Sequence, residues 1–124
     1  MNLQVYDSYD HCVFSDDGHW LHPLFALLDT LSERPVDVSE WRLCDKVIGR
    51  GAAVLIVKAG IRTAYGGLVS RRALPILEAH GVAVSWDELV DRIACMTEEA
   101  ITPEMDLEKA AAWLYTRRRE ILSK

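Results

Sequence analysis

Hydrophobic and polar positions alternate at the start of the chain and then switch to a helical period. Leu3 and Val5 alternate with Gln4 and Tyr6, the two-residue period of a strand with one buried face. The pattern predicts a strand over 3–8, a turn at Tyr9-Asp10 and a second strand over 11–15. Asp16-Asp17-Gly18 is the next turn signal, so the N-terminus reads as a hairpin. From His22-Pro23 onward, Leu24, Leu27, Leu28 and Leu31 recur at spacings of three and four, which predicts a helix with proline in its first turn. Glu33-Arg34-Pro35 ends that helix, and 36–41 is a connector with Ser39 as a local cap.

The stretch from Cys44 to Ile56 departs from both periods. It opens with charged residues, passes through Gly49 and Gly51, and ends in an apolar run with no polar face. It predicts a helix capped by Asp45, buried on all sides and closed by Gly60. A strand over 61–65 then ends at Gly66-Gly67. Ser70 caps a helix to Ala79, and Pro75 inside it predicts a late start or a kink. A short strand covers 82–84. Ser85-Trp86-Asp87-Glu88 has capping-box spacing and predicts a further helix carrying Leu89, Val90 and Ile93. Residues 97–101 carry no clear pattern. Thr102-Pro103-Glu104 opens a last helix, about 103–122, with Leu107, Ala110, Ala111, Leu114 and Ile121 on one stripe. The order predicts a single α/β domain over 1–124, three-layered, with a mixed sheet and helices on both faces. The 61–65 and 82–84 strands should pair in parallel through a right-handed crossover.

Charge and composition narrow the function. The 124 residues carry a formal net charge of −5, which argues against nucleic-acid or anionic-membrane binding. The basic cluster Arg117-Arg118-Arg119 suits the negative end of the last helix. No apolar run reaches the roughly 18 residues of a membrane span, and the first residues lack a signal-peptide pattern. A cytoplasmic location is expected. Cys12, Cys44 and Cys95 are odd in number and widely spaced, hence small buried hydrophobes rather than a disulfide framework. His19 and His22 have no second spaced pair, so no metal site and no cofactor are expected. The four tryptophans read as core or rim packing.

Two helix starts are the candidate chemistry. Lys46 is a cation at the positive end of a helix, disfavoured by about 0.3–1 kcal/mol, and Arg50 follows four residues later on the same face. Gly49 and Gly51 each lower helix stability by about 1 kcal/mol relative to alanine. Either close packing needs them, or an anion sits over the first turn. The second start, Gly66-Gly67-Leu68-Val69-Ser70-Arg71-Arg72, joins glycines to a hydroxyl and two arginines but lacks the Walker spacing. Tyr65, just before it, is placed to stack on a ligand. The ligand-binding candidates are therefore Asp45, Lys46, Gly49, Arg50, Tyr65, Gly67 and Ser70, with Asp45 and Lys46 as catalytic candidates.

The Asp45-Lys46-Val47-Ile48-Gly49-Arg50 run, with the 61–65 strand and Val69-Ser70, resembles a family of small bacterial proteins of unknown function. The resemblance covers roughly residues 3–105 and implies a cytidine-deaminase-like fold. That family usually carries a cysteine-proline-methionine-glutamate motif near its end, where this chain has Thr102-Pro103-Glu104-Met105. The fold analogy implies that Cys44-Asp45-Lys46 and Leu68-Val69-Ser70-Arg71 match the zinc-bearing helix openings of deaminases. Cys44 matches a first ligand, Lys46 stands where the acid/base glutamate belongs, and the second opening has no cysteine. Zinc-dependent deamination is therefore not expected. The leading expectation is a small anionic or nucleotide-like ligand between the two helix starts. The alternatives are an enzyme using Lys46 and Asp45 directly, and a regulatory or interaction domain whose helix surfaces bind a partner or a second copy.

Overall fold

A computed structural model describes residues 2–93, 96–102 and 104–123. The chain starts as a hairpin of β1 (Leu3–Tyr6) and β2 (Cys12–Asp16), paired antiparallel. Asp7 closes its turn, its carboxylate accepting from the N–H groups of Tyr9 and His11 at 2.9 Å each. Helix α1 (His22–Glu33) follows with Pro23 in its first turn, where a missing N–H is harmless.

The central stretch divides differently from the pattern's expectation. Cys44 to Ile48 belongs to a strand, β3 (Arg42–Ile48), and helix α2 (Arg50–Ala59) starts only after Gly49. Asp45 is therefore a strand residue and not a helix cap, and Lys46 and Arg50 do not share a helix face. The physical reason lies in the sheet. β3 is flanked by β1 on one side and by β4 (Thr63–Ser70) on the other, and a seven-residue strand satisfies backbone groups on both edges. The apolar run does form the buried helix: Gly51 to Ile56 are all buried, and Gly60 ends the helix at φ 83°.

Gly66-Gly67 is not a turn either, because β4 runs through both residues. A Cβ on Gly66 would lie 2.5 Å from Val69 Cγ2, and one on Gly67 would lie 2.9 Å from the Lys46 carbonyl oxygen. The glycines admit close neighbours rather than reversing the chain. Ser70 does cap, accepting from Arg72 N–H at 3.1 Å, but it caps a 3-10 turn, Arg71–Ala73, that leads into α3 (Leu74–Ala79). Pro75 falls in the first turn of α3, the late start that proline predicts. The capping-box segment forms β5 (Ala83–Val90), not a helix. Its pairing with β4 from Thr63↔Ala83 to Ser70↔Val90 outweighs a local cap signal. Helix α4 (Met96–Ala100) occupies the segment without a pattern. Helix α5 (Leu107–Leu122) is capped by Asp106, whose carboxylate accepts from Lys109 N–H at 2.7 Å, so it starts later than expected. Pro103 and Cys95 lie outside the described residues.

The sheet order is β2-β1-β3-β4-β5, with β3, β4 and β5 parallel and β1 antiparallel to both neighbours. α1, α3, α4 and α5 all contact α2, so the described helices gather on one face. Leu3, Val5, Leu43, Ile48, Ala64 and Val69 bury that face of the sheet. Gln4, Tyr6, Cys44 and Tyr65 on the other face are half-buried, and Arg42, Thr63 and Ser85 are exposed. Among the described residues, the expected layer of helices on the second face is thus not formed. Right-handed crossovers that all step the same way along the sheet put their helices on the same side.

Gly51 shows how tightly this face is packed. A Cβ there would lie 2.5 Å from Thr97 Cγ2 and 2.9 Å from Leu21 Cδ1. Gly51→Ala gains about 1 kcal/mol of helix propensity but overpacks a buried contact at about 1–3 kcal/mol. The variant is expected to be up to about 2 kcal/mol less stable in urea denaturation, and a stabilised variant would contradict the packing reading.

Candidate ligand-binding cleft

Among the described residues, the buried polar side chains are Ser70, Thr97 and Glu98, and all three belong to one cluster at the start of α2. Glu98, 1% exposed, reaches from α4 across that start. One carboxylate oxygen accepts from Arg50 N–H at 2.6 Å. The other accepts from Ser70 Oγ at 2.6 Å and from Ile93 N–H at 2.7 Å. Gly49, the residue before α2, has no side chain to cap the helix. It leaves room for a distant one, since a Cβ there would come within 3.1 Å of the Glu98 oxygen. A carboxylate at a helix N-terminus is favoured by the free N–H groups and the dipole together.

Arg50 returns the interaction. Its guanidinium Nη1 donates to the carbonyl oxygens of Glu98 at 3.2 Å and Ile101 at 2.7 Å, at the far end of α4. A cation there satisfies carbonyls that the helix leaves free. The basic residue that looks misplaced at the start of α2 thus serves the end of α4. The sequence points to an anion between two helix starts, and in the fold the chain's own Glu98 supplies it. Every donor aimed at this point is an N–H or O–H, so the notch suits an anion and does not fit a zinc ion. Cys44, the residue matched to a first zinc ligand, lies on the opposite face of β3, beside Tyr65 on β4. Burial raises its thiol above the usual range. No group of three or more histidine, cysteine or acidic residues able to hold a metal is found among the described residues.

Beside the notch opens a cleft of about 440 Å³, at the carboxyl end of β3. Asp45, Lys46, Gly49 and Arg50 line it, together with Asn2, His19, Trp20 and Glu98. The fold therefore brings four of the sequence candidates to one place. Ser70 lies behind the wall, fully buried against Glu98. Gly67 sits against the Lys46 backbone. Tyr65 is on the other face of the sheet, where a hydrogen bond to Asp87 raises its phenol above the ordinary value, so it does not face the cleft.

Asp45 is the electrostatically unusual group in the wall. Burial lifts its carboxyl from 3.8 to about 7, although it accepts hydrogen bonds from the backbone of Lys46 and Val47. Such a group changes charge in the physiological range. Lys46 has no ion-pair partner among the described residues. Trp20, held at φ 56°, donates its indole N–H to Thr97 Oγ1 at 3.2 Å, which fixes the ring on α4.

Asn2, His19, Trp20, Thr97 and Glu98 were not predicted as site residues. Glu98 falls within 97–101, the stretch without a clear pattern, so no local signal marks it.

The fold is similar to the crystal structure of a DUF1893 family protein (TM1506) from Thermotoga maritima, with a TM-score of 0.81 at 20% identity, covering 94% of this chain and 80% of that chain. No curated protein matches the chain. The family model for TM1506, a domain of unknown function (DUF1893), matches residues 8–114, and the chain belongs to that family.

Proposed function

We propose that the chain is a deaminase-like domain that binds a small nucleotide-like molecule, anionic at one end, in the Asp45 cleft. The observation that carries this reading is a cleft of about 440 Å³ whose wall holds the Asp45 carboxyl, pushed up to about 7 by burial, next to Lys46, whose ammonium has no ion-pair partner among the described residues. A half-protonated carboxyl both donates and accepts, which matches the mixed donor–acceptor edge of a nucleobase. Lys46 meets the anionic end as a point charge. The site lies at the carboxyl ends of parallel strands, where open α/β sheets hold their ligands, and that support is fold analogy. The deaminase-like assignment draws support from the meeting of the α2 start and the Ser70 turn at Glu98. Glu98 fills the notch between them, so the ligand sits beside the helix starts rather than between them.

A second reading is catalysis by Asp45 as a general acid or base, favoured by the same pKa, since proton transfer is most efficient near the working pH. A thermal-shift panel of nucleosides, nucleoside monophosphates and inorganic phosphate between pH 6 and 8 tests binding. At least one nucleotide is expected to raise the melting temperature saturably. Asp45→Ala and Lys46→Ala should each weaken it about tenfold, the scale of one charge-assisted hydrogen bond. No stabilising compound, or parental affinity in both variants, would overturn the reading.

A further inference from the structure

A second cleft, of about 570 Å³, opens on the far side of Arg50, between α2, α3 and α5. Its size falls in the range of small-molecule sites. Its walls are apolar: Val54 from α2, Ile76 and Ala79 from α3, and Leu107 and Ala110 from α5 all line it. Its charged lining has the opposite sign to the chain as a whole. Arg50, Arg71 and Arg72 line it, and the one carboxylate that does so among the described residues, Asp106, is committed to capping α5 through Lys109 N–H. In a chain of net charge −5, three arginines gathered on one apolar hollow concentrate positive potential there.

Arg71 and Arg72 are also available. Arg71 pairs with Asp91 at 3.1 Å and Arg72 with Glu99 at 3.1 Å, but both partners are more than half exposed. Exposed pairs of this kind contribute little and exchange readily. A guanidinium that gives up such a pair can grip a carboxylate or phosphate through two parallel N–H bonds.

We propose that this cleft binds a small amphipathic organic anion, with its carboxylate or phosphate head on Arg71 and Arg72 and its apolar body along α3 and α5. The site is separate from the Asp45 cleft and does not depend on the function proposed for it.

Amide chemical-shift titration of the intact chain with octanoate, octyl phosphate, octanol and inorganic phosphate tests the proposal. At least one of the two amphipathic anions should shift the Ala79, His80 and Ala110 amides saturably, with Kd on the order of 0.1–1 mM for ligands of this size. Whichever head binds more tightly identifies the natural head group. Octanol should bind at least tenfold more weakly, and inorganic phosphate should leave the Ala110 amide unmoved. The Arg71→Ala/Arg72→Ala double variant should lose at least fivefold for the anion. Ala79→Trp, at an exposed position, should block the cleft while keeping the fold. The proposal is overturned if neither anion shifts these amides, if octanol binds equally well, or if Ala79→Trp binds as the parent does.

Discussion

Glu98→Ala is expected to lower the unfolding free energy by about 3–5 kcal/mol, the range for removing one partner from a buried charged network. In a chain of this size that corresponds to a melting temperature lower by about 10–20 °C. Three donors lose their acceptor at once: Arg50 N–H, Ile93 N–H and the Ser70 hydroxyl. All lie where water does not replace the carboxylate freely, since Glu98 and Ser70 are buried. Glu98→Gln separates shape from hydrogen bonding. Its amide keeps one accepting oxygen, but in either orientation the NH₂ faces a backbone N–H, from Arg50 or from Ile93. Glutamine should therefore fall between the parent and alanine, about 1–3 kcal/mol below the parent. A full return to parental stability in Glu98→Gln, measured by urea denaturation, would show that the backbone donors are satisfied in another way.

Asp45→Asn should act in the opposite direction and only at higher pH. The folded carboxyl titrates at about 7 against 3.8 for the unfolded chain. Between those values the folded state holds a proton that the unfolded state has lost. The group's favourable contribution is full below about pH 4 and lost as pH rises through 7. A shift of this size is worth about 2–4 kcal/mol at its upper end. Asparagine cannot ionise, and its carbonyl oxygen can still accept from the Lys46 and Val47 N–H groups. The variant should match the parent at pH 4 and exceed it by about 2–4 kcal/mol at pH 8. The parent-minus-variant difference isolates Asp45 from the other titrating groups. A difference that is flat with pH would contradict the raised pKa. A chain that retains a destabilising carboxyl in a cleft wall fits the common trade of stability for function at a site.

Much of the element order is legible in the sequence. The hairpin, α1 with Pro23, the buried run from Ala52 to Ile56, the stop at Gly60 and the parallel pairing of the later strands all follow from local periodicity and turn chemistry. The sequence misleads where a local signal meets a long-range demand. Asp45 before an apolar run looks like a helix cap, and Ser85 with Glu88 looks like a capping box. In the fold both segments are strands, because the β3–β4 and β4–β5 ladders bind their backbones along most of their length. Gly66-Gly67 looks like a turn because glycine's tolerance of close packing and its freedom to reverse the chain leave the same mark in sequence.

The site divided along the same line. Asp45, Lys46, Gly49 and Arg50, which stand out in the sequence because their charges look misplaced on a helix, line one cleft in the fold. The misfit was real, but its resolution came from Glu98, which lies 48 residues beyond Arg50 in the chain in a segment with no clear period. No local pattern announces a cap supplied from that distance. Tyr65 and Ser70 were drawn in by a turn that does not exist, and the strand that replaces it sends them to the far face and behind the wall.

The charge state of Asp45 is measured most directly by a site-resolved carboxyl carbon titration by NMR between pH 3 and 9. Asp45 is expected to show a single inflection at about 7, displaced when a nucleotide-like ligand saturates the cleft. An inflection near the ordinary aspartate value of about 4, unmoved by every compound in the panel, would contradict the proposed function.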